Sequence, residues 1–422
     1  MAIERNPYNR ENLPTSLDSA QLPLDLPENV MATSNTEDGS MEFEFSEEDL
    51  ASLYEEVSEE NKEHYDNLVD EIEEEQLEVI AQQVIQGYEA DEDSREEWMN
   101  TIVQGLDLLG TDLSDEGALF ENACAAHHPL ILEAAVKFQS KASAELLPSD
   151  GPVHTQILGK ITKEKEERAT RKREHMNWQL TTQMPEYYDE SEKMLFYTPI
   201  IGSGFKKLYW NGNEGRPCSS ALTVDRFVVP FNAPDIPRAQ RTTEILYKSE
   251  DDIRRDVKSG FYREDALEKI GKPQQIQLTE FQEKQGEITG ITPANSEFDA
   301  AFTLLEQHVY MYIEGLEDDE DDEIARPYII TVDKESETVL GIRRNWKPDD
   351  TLYRKKVWYV HYPFVPGMGF YGLGYIHLLG NIQKTLTAAI RALVDAGQFA
   401  TLPGGLKAKG VRFNKDEGPI GS

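Results

Sequence analysis

Two cysteines, Cys124 and Cys218, are all that the 422-residue chain carries. That excludes a disulfide framework and suits a reducing compartment. Long apolar runs are missing too: none approaches the roughly 18 residues that cross a bilayer. The start MAIERNPYNR also lacks the apolar core of a signal peptide. The expectation is a soluble protein made inside the cell. Positive charge is scarce, with Lys plus Arg numbering 42 against 79 Asp plus Glu, a net of −37. Tight wrapping of nucleic acid needs many Lys and Arg contacts to phosphates, so any DNA this chain handles should be held loosely.

Several chemical motifs are absent or incomplete. Gly159-Lys160 is followed by Ile161 and Gly271-Lys272 by Pro273, so no G-x-x-x-x-G-K-[ST] loop is present and the chain is not itself an ATP-driven motor. Ser203-Gly-Phe-Lys206 fits S-x-x-K without its companion motifs and reads as a turn. Cys124, His127 and His128 form at most half a zinc site, because no second Cys/His pair follows at usable spacing. The run Glu317 to Glu323 lacks the central glycine and the downstream Glu of a calcium loop and reads as solvated. No cofactor and no metal is expected.

What the chain does have is length for one large or two ordinary domains and 39% apolar residues, enough to build cores. Its acidity is graded: residues 1–100 hold 30 acidic and 4 basic residues, which is −26 of the total −37. Residues 1–45, with Pro7, Pro14, Pro23 and Pro27, read as a mostly disordered acidic start. Residues 46–194 read as helical. Ser46-Glu47-Glu48-Asp49 fits a capping box, and Leu50, Leu53, Tyr54 and Val57, then Leu68 and Ile72, then Leu77, Ile80 and Val84 recur at helical spacing. Trp98, Ile102, Leu106 and Leu109 predict another helix, and Ile131, Ala135, Phe138, Ala142 and Leu146 one that opens at Pro129. Residues 160–175 mix both charge signs on a solvated helix.

Residues 195–365 change texture to short β-branched and aromatic runs broken by Gly, Pro and Asn: MLFYTPIIG, FKKLYWNGN, ALTVDRFVVPF, RPYIITVD, TVLGIRRNW and RKKVWYVHYPF. Tyr209 to Asn213 fits a hairpin turn, and SEDDIRRDVKSGFYREDALEKI is a helical insertion. Residues 366–405 are a glycine turn and an apolar helix from about Tyr375, with Leu379, Ile382, Leu386, Ala389 and Leu393 on one face, ended by Pro403-Gly404-Gly405. Residues 406–422 begin a further segment. The fold class is α+β.

Two constellations remain open. Gly367, Gly369 and Gly372 match G-x-G-x-x-G between a strand and a helix, the context in which glycines admit a pyrophosphate to a helix N-terminus. Against this, Pro363 and Pro366 interrupt the passage and no βαβ unit surrounds it. The alternatives are a nucleotide-binding enzyme and a tightly packed turn. Arg343, Arg344, Lys355 and Lys356, interleaved with Trp346 and Trp358, together with Lys407, Lys409 and Arg412, either touch DNA or cover apolar strands and pair with acids across a subunit contact.

The order of segments carries more than any motif. HHPLILEAAVKFQSKASAELLPSDGPVHTQILGK, HMNWQLTTQMPEYYDESEKMLFYTPIIGSGFKKLYW, FVVPFNAPDIPRAQRTTEILYKSEDDIRRDVKSGFY and FYGLGYIHLLGNIQKTLTAAIRALVDAGQFATLPGGLKAKGVR together resemble the portal proteins of tailed bacteriophages, in particular the long portals of short-tailed phages. The blocks follow in the family's order from about residue 95 onward. The resemblance implies a portal fold: an acidic helical N-terminal region, a β-rich wing at 195–365, a stem-type helix at 375–400, and a start of the clip from Leu406. It implies a ring, usually of twelve copies, at one capsid vertex, not an enzyme, and made in the host cytoplasm. Its partners would be further copies of itself, double-stranded DNA passing through, the terminase large subunit, tail or adaptor proteins, and major capsid and scaffolding proteins. Long portals continue past the LPGG segment, so the chain is expected to be a fragment or one half of a split portal completed by a second polypeptide. Opposed acidic and basic segments lead to an expectation of inter-subunit salt links that weaken as ionic strength rises.

Overall fold

The computed structural model describes residues 64–109, 124–149, 151–157, 159–212, 214–276, 278–289, 300–313, 316 and 324–401, and two short paired strands, β1 (Met31–Thr33) and β2 (Glu42–Glu44). The Ser46 capping box, the Leu50 to Val57 pattern, the acidic run from Glu317 to Glu323, and Lys407, Lys409 and Arg412 lie outside the described residues.

The fold is α+β. A three-stranded antiparallel sheet has the order β10–β3–β4, with β3 (Ser203–Asn211), β4 (Arg216–Leu222) and β10 (Tyr359–Pro363). The second sheet is a five-stranded antiparallel meander of β5 (Phe227–Val228), β6 (Arg241–Lys248), β7 (Phe302–Met311), β8 (Arg326–Asp333) and β9 (Thr338–Arg344). The expected hairpin is present: β3 and β4 pair from Asn211–Arg216 upward, and Gly215 supplies the left-handed φ of +65° that a side chain would resist.

Helix α1 (Glu74–Ser94) lies on one face of the five-stranded sheet, because Leu77, Ile80, Val84 and Tyr88 recur every third or fourth residue and are buried. Leu77, Ile80 and Val84 pack with Tyr328, Ile330, Val332, Val339 and Ile342, each such side chain contributing roughly 1.5–3 kcal/mol of apolar burial. The acids of α1 fall on the outer side except Asp91, which is buried and paired with Arg241 on β6 at 2.7 Å. Helices α2 (Glu96–Leu106), α3 (Leu130–Leu146) and α5 (Glu186–Ile201) enclose a second core with Phe205, Phe227, Tyr359, Phe370 and Tyr371. Between α3 and α5, α4 (Lys163–Trp178) runs with no buried residue, as its mixed charges predict. The insertion after β6 forms α6 (Glu250–Lys258) and α7 (Ala266–Ile270), with a capping box between Ser249 and Asp252, and is followed by α8 (Glu280–Thr289). The last described element is α9 (Tyr375–Thr401).

Three expectations are corrected. MLFYTPII is not a strand: it forms the closing turns of α5, capped by Gly202 at φ +110°. A short, fully buried apolar run reads alike as strand or helix, so the β-rich part begins at Ser203 and not at 195. RKKVWYVHYPF yields strand only over Tyr359–Pro363. The third concerns α9, whose named stripe divides: Leu379 packs inward, whereas Ile382 and Leu393 are 56% and 75% exposed. The buried positions of that helix are Ile376, Gly380, Gln383 and Asp395.

Candidate functional site

The two sheets meet over a buried charge cluster. From β3, Lys207 Nζ reaches Glu244 Oε2 on β6 at 2.6 Å and Glu306 Oε1 on β7 at 2.8 Å. The Tyr359 hydroxyl on β10 donates to Glu244 Oε2 at 2.8 Å and lies 3.2 Å from Glu306 Oε1. His308 Nε2 is 3.5 Å from Glu306 Oε1, while its Nδ1 is buried without a partner. The alternation of β7 puts Glu306 and His308 on the same face as Leu304, toward the smaller sheet. Burial works against the Lys207 charge, but the two carboxylates outweigh it and hold the lysine above its usual range. Burial likewise opposes ionisation of Glu306, yet Lys207 and the His308 hydrogen bond pull it well below the usual carboxylate range. His308 is pushed down to about 4, chiefly by burial, and is neutral. The cluster is closed by its own partners and acts as an electrostatic pin between two sheets.

The basic residues singled out above have mostly internal duties. Arg343 is buried, and its guanidinium donates to Tyr65 O at 2.6 Å, Gly260 O at 3.0 Å and Phe261 O at 2.7 Å, over the Phe261 ring. It fastens α6 and the residues ahead of α1 to β9. Arg344 donates to His64 O at 3.4 Å. Lys356 donates to the Tyr65 hydroxyl and lies 3.9 Å from that ring's centre. Lys355, pushed down to about 8 by burial, sits over Tyr310. These side chains do not converge into one outward basic face.

The glycine turn is packed against the chain itself. A Cβ would stand 2.3 Å from Tyr371 O at Gly367, 2.5 Å from the Phe231 ring at Gly369 and 2.3 Å from Gly202 O at Gly372. Gly372 N–H donates to Ser203 Oγ at 2.9 Å, and Trp98 Nε1 donates to Gly372 O at 3.2 Å. The space a pyrophosphate would need is filled by Gly202 and Phe231, and β10 ahead of the turn runs antiparallel to β3. These glycines permit close backbone contact where the chain bends from β10 into α9.

Helix α9 has two distinct sides. On one, Gln383, Thr387, Arg391 and Asp395 recur at every fourth residue and grip a run of backbone. Gln383 Oε1 accepts from Ile131 N at 2.9 Å, Thr387 Oγ1 from His128 N at 3.4 Å and Asp395 Oδ1 from Cys124 N at 2.8 Å. Arg391 donates to Ala126 O at 3.0 Å and Ala125 O at 3.1 Å, and its Nη2 is 2.6 Å from His127 Nε2. The Cys124-His127-His128 trio is thereby part of a segment bound to a helix, and among the described residues no cluster of His, Cys, Asp or Glu could hold a metal ion. On the other side Leu378, Ile382, Leu393 and Phe399 face outward. Spacing revealed α9, but not which side its polar residues would take. No helix among the described residues is long and apolar enough to cross a membrane. No protein-family model matches the chain, and no curated protein matches it.

Proposed function

We propose that this chain is the subunit of a ring-shaped conduit for a nucleic acid. Within that class, the segments quoted above point to the portal of a tailed bacteriophage, seated at one capsid vertex, through which double-stranded DNA enters and leaves. Terminase, tail or adaptor proteins, capsid and scaffold would dock on it. The supporting observation is the outer side of α9: Leu378, Ile382, Leu393 and Phe399 stand exposed on one 27-residue helix. Apolar residues gathered on one exposed element mark an interface, and identical neighbours in a ring would cover them. The balance of −11 carried by the chain after residue 100 suits passage without grip, because each neutralised phosphate would add to the free energy of release. The polar bonds of α9 and the packed glycines would hold the helix in one orientation.

Native mass spectrometry and electron microscopy test this. The expected result is a closed ring whose mass is a multiple of 48.0 kDa. Ile382→Glu with Leu393→Glu, both at exposed positions, should leave the fold intact and abolish the ring. A wild-type protein that stays monomeric at micromolar concentration, or a ring unaffected by both substitutions, would overturn the assignment of α9 as a ring contact.

A further inference from the structure

Helix α4 is sixteen residues long and almost wholly exposed, with only Ala169 and Asn177 partly covered. A helix that is polar all round either carries many ion pairs of its own or bridges to something else. Among the described residues α4 has one ion pair, Arg168 to Glu164 at 3.5 Å. Lys165, Arg168, Arg171 and Lys172 recur at i, i+3, i+6 and i+7 on one side, which also holds Glu164, the partner of Arg168; Glu166, Glu167 and Glu174 lie on the other with Lys163 and Arg173. The helix is nonetheless firmly rooted. Asn177 exchanges two hydrogen bonds with the Val153 backbone, at 2.9 and 3.2 Å, and Thr155 Oγ1 donates to Ala169 O at 3.2 Å. Its flanks expose Ile161, Met176 and Trp178. Tryptophan, methionine and arginine together are the residue types enriched in protein interfaces.

The complementary surface is on the same chain. At the corner where α1 passes into α2, Glu89, Glu92, Asp93, Glu96 and Glu97 are all exposed within nine residues, and among the described residues none has an ion-pair partner. The one cation in that stretch, Arg95, is buried and turned inward, donating to the Val224 and Phe227 carbonyls. The five exposed carboxylates make a negative patch of about the same length as the basic side of α4, with one cation, Lys334, at its α1 end over the Tyr88 ring.

We infer that the basic side of α4 docks on the α1–α2 corner of a second copy of this chain. The inference deepens the ring reading, on which it rests, by naming a contact between neighbours separate from the apolar side of α9. A duplex is the less suitable occupant, because the chain after residue 100, which carries α4, is itself net negative at −11.

The test is a charge swap on the full chain, read by sedimentation velocity and native mass. One variant carries Lys165→Glu, Arg168→Glu, Arg171→Glu and Lys172→Glu; a second carries Glu89→Lys, Asp93→Lys, Glu96→Lys and Glu97→Lys; a third carries all eight. Because every altered side chain is exposed, circular dichroism should match wild type in each. Each single set should weaken self-association at least tenfold, and the eightfold variant should recover it. Wild-type association should also fall as salt is raised. Association unchanged in the single sets, or unrecovered in the eightfold variant, overturns the docking of α4 while leaving the ring reading intact. Loss of duplex binding in the α4 set with unchanged association assigns the helix to nucleic acid and overturns it too. A monomeric wild type removes the ring reading and this contact together.

Discussion

Replacing Lys207 by methionine removes the cation held 2.6 and 2.8 Å from Glu244 and Glu306 while retaining most of the side chain's bulk. Two carboxylates would then face each other between the sheets, beside the Tyr359 hydroxyl, with no countercharge. Removing one partner of a buried ion pair costs about 3–5 kcal/mol. A second route gives a similar figure. Keeping one of the two carboxyls protonated at pH 8, against an unfolded value of 4.5, costs about 5 kcal/mol. The pH dependence separates this mechanism from simple loss of packing. In wild type, Glu306 is depressed, so its contribution is present above its unfolded value of 4.5 and is lost as pH falls through its folded value. His308, at about 4 folded against 6.5 unfolded, likewise contributes fully above 6.5 and loses about 2 kcal/mol by pH 5. In the variant the carboxyl is raised instead of lowered, so its penalty is small near pH 5 and grows as pH rises. Urea unfolding followed by tryptophan fluorescence, at pH 5 and pH 8, should show a penalty of about 4 kcal/mol at pH 8 that falls by half or more at pH 5. An equal penalty at both values, or one below about 1 kcal/mol at pH 8, would refute the electrostatic account of the pin.

Two glycines should respond in opposite directions to alanine. Gly372→Ala drives a methyl into Gly202 O and should lower stability by about 1–3 kcal/mol, whereas Gly397→Ala, in α9 with open space around it, should raise it by roughly 0.5–1 kcal/mol; thermal melts decide both. Arg343→Lys keeps the charge but loses the fork that reaches three carbonyls. A drop of about 2 kcal/mol is expected, with faster amide exchange around residues 64–68; unchanged exchange there would show that the arginine is not the fastener.

Much of the helical architecture is legible in the sequence. Leu77, Ile80 and Val84 place α1, Pro129 and Ile131 open α3, and the mixed charges of 160–175 announce a helix with no buried face. What stayed hidden are the central strands β6 and β7. Both faces are buried and mix the two kinds of residue, Thr242, Glu244, Glu306 and His308 with Ile245, Leu304, Leu305 and Val309, so no alternation of apolar and polar residues marks them. The buried charges that conceal these strands in the sequence also pin the two sheets, a pairing of Lys207 with Glu306 that lies 99 positions apart and leaves no local trace. The glycine turn was misleading for a related reason. Close approach of backbone to backbone and close approach of backbone to phosphate call for the same residue, and only the position of Gly202 tells them apart.

The polar side of α9 carries a consequence for how this chain tolerates change. Four of its residues hold the stretch from Cys124 to Ile131 chiefly through peptide N–H and C=O groups. Side chains from Cys124 to His128 can therefore vary widely without loosening it, since every residue but proline offers the same peptide groups, whereas Ile131 is fixed by its burial in the core. Insertion or deletion of one residue in α9 between Gln383 and Asp395 cannot be absorbed, because it turns half of the ladder about 100° away from its partners. Substitutions should be common at 124–128, and length changes rare in the helix that binds them.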